Sequence, residues 1–497
     1  MKNAFDIAII GSGFAGSLTA MIARKLGHSV VLLEKGKHPR FAIGESSTPL
    51  ANLILEELSD RYDLRALRPL TKWGTWQQHQ PTIGCGLKRG FSFLHHEQGR
   101  AFADDAGHRH QLLVAASPND RVADTHWYRA DFDAFLVDEA RKLGVVYLDE
   151  ADLWGIDVEQ KRPIIQGRHR GAPLEVHAEF IVDATGPRGF LHGALELPEV
   201  PFKNLPPTQA LFSHFTGVKR WDALHPSPDV PPYPVDDAAV HHVFDGGWIW
   251  VLRFNNGVTS AGAAATSRVA NELRFAEGER AWQRLLETLP SVREQFAGAK
   301  PAAPFIHARQ LSFLSGYTAG SNWVLLPSAA GFIDPLLSTG FPLTLLGIER
   351  LAGILETKWG AKDFADELFQ YSMQTTIELV TTERLIAALY ATMDDFELFS
   401  ALTLLYFAAA SYTESARRLG QPELAGNTFL LGEHPVFGPR FRYCVDIALQ
   451  KPTRARREDL LQGIQQAIEP VNVIELGRAE RRNWYPASSE DLFANAG

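Results

Sequence analysis

The segment Gly11-Ser12-Gly13-Phe14-Ala15-Gly16 joins two runs of different periodicity, and that junction limits what the rest of the chain can become. Ahead of it, Phe5-Asp6-Ile7-Ala8-Ile9-Ile10 reads as a buried strand, and Ser17 to Leu26 behind it carries a helical pattern. Gly11 permits a tight turn, Gly13 lets backbone approach a ligand, and Gly16 lets the helix close on the strand. The unpaired N–H groups at the helix start suit an anion. Ser29-Val30-Val31-Leu32-Leu33-Glu34 then reads as a second buried strand ending in a carboxylate, about 20 residues on, where a ribose hydroxyl is held in such units. The strand–turn–helix–strand reading predicts a dinucleotide site. Glu34 favours FAD or NAD, because a carboxylate repels a 2′-phosphate.

A chain of 497 residues buries a large core and splits into subdomains. Its net charge of −9 argues against a general nucleic-acid surface. Cys85 and Cys444 are too few for a disulfide framework, and Met1-Lys2-Asn3 enters the first strand without a signal peptide, so a cytoplasmic setting is expected. The apolar run Leu398 to Ala410 falls short of the ~20 residues of a membrane span. His95-His96-Glu97 and His108-Arg109-His110 lack the spacing of a metal site, so no metal is expected.

The order of patterns gives an α/β chain. Residues 1–200 and 301–360 form a discontinuous nucleotide-binding domain of Rossmann-like type, with 66–104 contributing to the substrate side. Residues 201–300 form an inserted antiparallel substrate sheet with one helix over about 279–296, and 361–497 a helical region. Phe180 to Asp183 is the returning strand, and the glycine in Ala184-Thr185-Gly186 after it suggests close backbone approach to a cofactor. Trp323 to Leu326 is another buried strand, followed by Ser328-Ala329-Ala330-Gly331 and then a helix opened by Ser338-Thr339-Gly340. In the substrate sheet, alternation puts Trp248 and Trp250 on one face.

Together these residues resemble the flavin-dependent halogenases, relatives of the single-component flavin monooxygenases, over about residues 1–360. The turn Gly11, Gly13, Ala15 and Gly16, with Glu34, Gly44-Glu45-Ser46, Arg129, Gly331, Asp334-Pro335 and Gly340, matches positions that bind FAD across the wider group. Lys88 in Gly86-Leu87-Lys88-Arg89-Gly90-Phe91 matches the family's catalytic lysine, and Trp248-x-Trp250 its paired-tryptophan motif. That motif continues to Ile-Pro in the family, whereas here it continues to Leu252-Arg253. Leu337 stands where the tryptophan-halogenating branch has a glutamate. The surroundings of Lys88 look closest to the phenol-type branch, which includes phloroglucinol and resorcinol halogenases.

The resemblance implies that reduced FAD, oxygen and chloride or bromide give hypohalous acid, with the halide near Thr339 and Gly340. The paired tryptophans would keep organic substrate away from the flavin, and Lys88, in the substrate cavity, would relay halogen to an electron-rich phenol. No second glycine-rich nucleotide turn is visible, so a separate flavin reductase is the expected source of reduced FAD. Two other readings of the same residues stay open: an FAD-dependent aromatic monooxygenase or dehydrogenase with Lys88 structural, and a flavin-binding protein without catalysis.

Overall fold

The computed structural model describes residues 3–160 and 162–487. Two large sheets organise them. The first has seven strands, in the order Val146–Leu148, Val30–Leu33, Ala4–Ile10, Ala172–Asp183, Ile164–His169 and Ala151–Asp157, with Trp323–Leu325 pairing on Ala172–Asp183. Ala4–Ile10 is parallel to both neighbours, Ile10 standing opposite Leu33 on one side and Asp183 on the other. Ile7, Ile9, Val31, Leu32 and Val182 are fully buried, which is why these strands read as continuous apolar runs and not as alternations. The helix Phe14–Lys25 packs on Arg129–Lys142 and Gly340–Lys358. Ile164–His169, a strand the sequence pattern did not reveal, carries Gln166-Gly167-Arg168 at its centre, and its pairing is set by the hairpin with Ala172–Asp183.

The second sheet has nine strands, in the order Lys300–Pro301, Thr208–Thr216, Thr259–Thr266, Gly247–Arg253, Ala239–Phe244, Gly90–His95, Gln111–Ala115 and Trp484–Tyr485, with Ile306–Ala308 also on Thr208–Thr216. The strands expected inside 201–300 are its centre, and Asp245-Gly246 turns one of its hairpins with Gly246 at φ +76°. The sheet is mixed and not antiparallel throughout. Ala239–Phe244 runs parallel to Gly90–His95, and Trp484–Tyr485 parallel to Gln111–Ala115, because partners brought together from distant parts of the chain are not constrained by a hairpin.

The single helix expected over 279–296 is two, Glu279–Thr288 and Pro290–Gln295. Pro290 has no N–H for the preceding turn and its ring clashes with it. The C-terminal helices are Phe364–Ala391, Phe396–Arg418, Phe437–Leu449 and Arg454–Ile468. In the third, Gly438-Pro439 has the composition of a turn, yet it lies inside the helix. Pro439 falls in the first helical turn, where a missing N–H costs nothing, and Phe437, Phe441, Cys444, Val445 and Ala448 form the buried stripe. Phe396–Arg418 extends beyond its apolar run and has the length and composition to cross a membrane; 67% of its most apolar window is buried inside this fold.

Candidate active site

Ala4–Ile10, Val30–Leu33 and Ala172–Asp183 end together at a cleft of about 1240 Å³, the position at which open parallel sheets hold ligands. Of the residues singled out in the sequence, Gly11, Gly13, Ala15, Glu34, Gly44 and Arg129 line one part of it. Gly331, Asp334, Thr339 and Gly340 line another. Thr185 and Gly186 line it as well. The Asp183 carboxylate accepts from the N–H and hydroxyl of Thr185 and from the N–H of Leu191, at 2.8, 2.5 and 2.6 Å, fixing that loop to the sheet.

Gly13 is the N-cap of Phe14–Lys25 and no side chain caps the helix, so its first N–H groups are left for an anion. A Cβ on Gly13 would stand 3.3 Å from Arg129 Nη2. The carboxylate of Glu34 accepts from Ser12 N–H (3.0 Å) and hydroxyl (2.9 Å) and from Gly36 N–H (2.8 Å), with Arg40 at 3.3 Å. Burial alone would raise its pKa; the Ser12 N–H, Arg40 and Gly36 outweigh that and hold it below the usual value. Arg40, which the sequence showed only as part of a polar turn, therefore puts a guanidinium beside the glycine turn. Arg129 is clamped by Asp133 at 2.8 and 2.7 Å and donates to the carbonyls of Ile43 (3.2 Å) and Gly44 (2.9 Å). It thereby pins the strap that edges the cleft.

FAD fits this set. The uncapped helix and Arg40 suit a pyrophosphate, the Glu34 carboxylate suits a ribose hydroxyl, and Gly340, whose Cβ would meet nothing within 4 Å, leaves room at the other end. Thr339 precedes the helix Gly340–Lys358 as its N-cap residue. It follows a turn in which Leu337 and Ser338 take φ +64° and +54°, an uncommon conformation for a residue as bulky as leucine.

Four of the expected FAD residues do not line the cleft. Gly16 packs so closely under the turn that a Cβ would stand 1.9 Å from the Gly11 carbonyl oxygen. Glu45 turns into the second sheet, its Oε1 2.8 Å from His214 Nε2. Ser46 faces Lys88, and Pro335 lies in the turn after Asp334. Trp248 and Trp250 are buried on one face, with ring centroids 5.7 Å apart. Trp248 donates to Asp334 Oδ1 at 3.2 Å, which also accepts from Leu336 N–H, while Tyr390 donates to Oδ2 at 2.9 Å. Burial pushes the Asp334 carboxyl up to about 6.

Lys88 lies on the short strand Cys85–Lys88 and is fully buried. Its ammonium donates to Ser46 Oγ at 2.8 Å and to the Ser47 carbonyl, and sits 3.8 Å above the Phe91 ring centroid. It lines neither the cleft nor the second, narrower cavity of about 40 Å³ walled by Phe91, Tyr406, Phe407, Glu414, Thr48 and their neighbours. Phe91, over whose ring the lysine sits, is itself part of that cavity's wall, whereas the sequence reading set Lys88 in the substrate cavity itself. Burial pushes its pKa down to about 7, and Asp124 across the strand pair opposes that. Among the described residues no group of three metal-ligating side chains converges.

A family model described as FAD dependent oxidoreductase matches residues 6–332. The chain belongs to the FAD-dependent oxidoreductase family. FAD is its cofactor, and within the family it stands with the flavin-dependent halogenases. It is 29% identical over 420 residues to monodechloroaminopyrrolnitrin halogenase PrnC of Pseudomonas fluorescens, an alignment covering 82% of this chain and 71% of that one. To the tetracycline 7-halogenase of Kitasatospora aureofaciens it is 29% identical over 379 residues, 74% of this chain and 66% of that one. The solved structure of halogenase PltM in complex with phloroglucinol and FAD has a TM-score of 0.84 at 25% identity, covering 96% of this chain and 99% of that one.

Proposed function

We propose that this oxidoreductase halogenates an electron-rich phenol and that Lys88 carries the halogen to it. The observation that carries the reading is how Lys88 is suspended. Gly44 edges the large cleft, Ser46 and Ser47 accept the lysine N–H groups, and Thr48 and Pro49 wall the narrow cavity, so one short segment joins both cavities to the amine. Bound FAD, once reduced, supplies hypohalous acid from oxygen and a chloride or bromide ion. The glycine turn and Arg40 hold its pyrophosphate, Glu34 its ribose, and Thr339 and Gly340 border the space for a halide.

A neutral Lys88 amine has a lone pair that takes halogen, the N–H proton and hydroxide leaving as water. An ammonium has none, which is why burial without a direct ion pair matters here. An electron-rich ring is the acceptor, and the phloroglucinol in the PltM complex is of that class. Trp248 reaches from the second sheet to Asp334 at the cleft, with Trp250 beside it, and the pair keeps organic substrate from the flavin. A separate reductase delivers reduced FAD.

The test is incubation with FAD, a flavin reductase, bromide or chloride, and a panel of phenols, read by mass spectrometry. Halogenated resorcinol or phloroglucinol is expected. Hydroxylated products alone would replace the reading with a monooxygenase, and halogenated tryptophan with every phenol untouched would overturn the acceptor class.

A further inference from the structure

We propose that Asp124 is the positioning residue that sets the charge of Lys88, its carboxylate opposing the loss of the proton that the lysine must shed before it takes halogen. This rests on Lys88 being the halogen carrier. Asp124 opposes Lys88 directly in the antiparallel pair Cys85–Lys88 with Asp124–Trp127, although 36 residues separate them in sequence. It is buried, and a bracket ties it to the segment that grips the lysine. Asn52 Nδ2 donates to Asp124 Oδ1 at 2.8 Å, Ser47 Oγ donates to Asn52 Oδ1 at 2.7 Å, and the Ser47 carbonyl accepts from Lys88 Nζ. Asp124 Oδ2 is buried with no hydrogen-bond partner among the described residues, so no donor screens its charge from the lysine.

The other ionisable groups around the pair are His126 and His241 beside Lys88 and Glu414, Arg418 and Tyr406 beside Asp124, and burial holds the Tyr406 phenol far above its usual value. His126 and His241 face Lys88, and burial holds both far below the usual imidazole value, so neither is a cation. Glu414, bound by Arg418, faces Asp124 from the helix Phe396–Arg418 and adds to the burial that raises Asp124. The ammonium first loses its proton to give the amine. The amine and hypohalous acid then form an N–halogen bond and water. The ring carbon next takes the halogen as that bond breaks toward nitrogen, and the ring proton restores the amine.

Removing the Asp124 charge takes away the attraction that favours the ammonium, so Lys88 should ionise only at lower pH. With wild type, Asp124→Asn and Asp124→Glu compared for kcat/KM on a small phenol against pH, the acidic limb of D124N should move down by roughly one unit or more. D124E should keep the wild-type limb. FAD absorbance and a cooperative melt establish folding, and D124S, which also removes the charge, replaces D124N should that variant not fold. An unmoved limb in the folded charge-free variant, or one displaced upward, overturns the assignment of Asp124. Absence of halogenated product from wild type overturns the halogenase reading beneath it, so the two failures are told apart.

Discussion

The cleft and the lysine pocket treat charge in opposite ways. Around the glycine turn every ionised group is met by partners: Glu34 by Ser12, Gly36 and Arg40, Arg129 by Asp133 and two carbonyls. Lys88 forms no ion pair among the described residues, burial is complete, and the lysine and Asp124 are both pushed toward neutrality. A site that must hold a pyrophosphate keeps its charges through hydrogen bonds. Around Lys88 desolvation weakens the charge instead, as the proposed role of a nucleophilic amine requires. The two regions share the segment from Gly44 to Pro49, so one strap serves both requirements.

The comparison breaks most visibly at Lys88. Lys88→Ala should keep FAD bound, since the lysine does not touch the cleft, while halogenated product falls about a thousandfold, a loss of ~4 kcal/mol of transition-state stabilisation; product assay beside FAD absorbance checks both halves. Lys88→Arg should fail alike, because a guanidinium does not deprotonate. On the cleft side, Gly13→Val puts a branched side chain beside Arg129 where backbone meets phosphate, and FAD affinity should weaken about a hundredfold, ~2.7 kcal/mol by titration. A folded Gly13→Val protein with unchanged affinity would remove the turn from the FAD site.

Acidity gives a smaller effect with a definite sign. The Lys88 pKa is depressed to about 7, so the amine is neutral above that value and charged below it. Halogenation should fall about tenfold between pH 8 and pH 6, and a flat rate over that range would show that the charge state of the amine does not limit it. The mildest change is Trp248→Phe, which removes one of the hydrogen bonds to the buried Asp334. It should cost about 1 kcal/mol in denaturant unfolding, and a loss several times larger would mean that the tryptophan pair carries the junction between sheet and cleft through packing.

Local pattern determined a good deal of this protein. The glycine turn, the strands on either side of it and the carboxylate at Glu34 are near neighbours in the chain, and their order alone gives a right-handed strand–helix–strand unit with a nucleotide at its end. The central strands of the second sheet were equally legible, since alternation over a few residues states which face is buried. Three-dimensional packing decided the rest. Gly16, Glu45, Ser46 and Pro335 share a motif with cleft residues but face elsewhere, because backbone direction after a turn depends on what the chain packs against. Lys88 in sequence is one lysine on a strand. Only the fold lays it over Phe91, hangs it from Ser46 and Ser47, and sets Asp124 opposite, and only burial from all sides, a property of no single stretch, pushes its pKa down toward neutral pH.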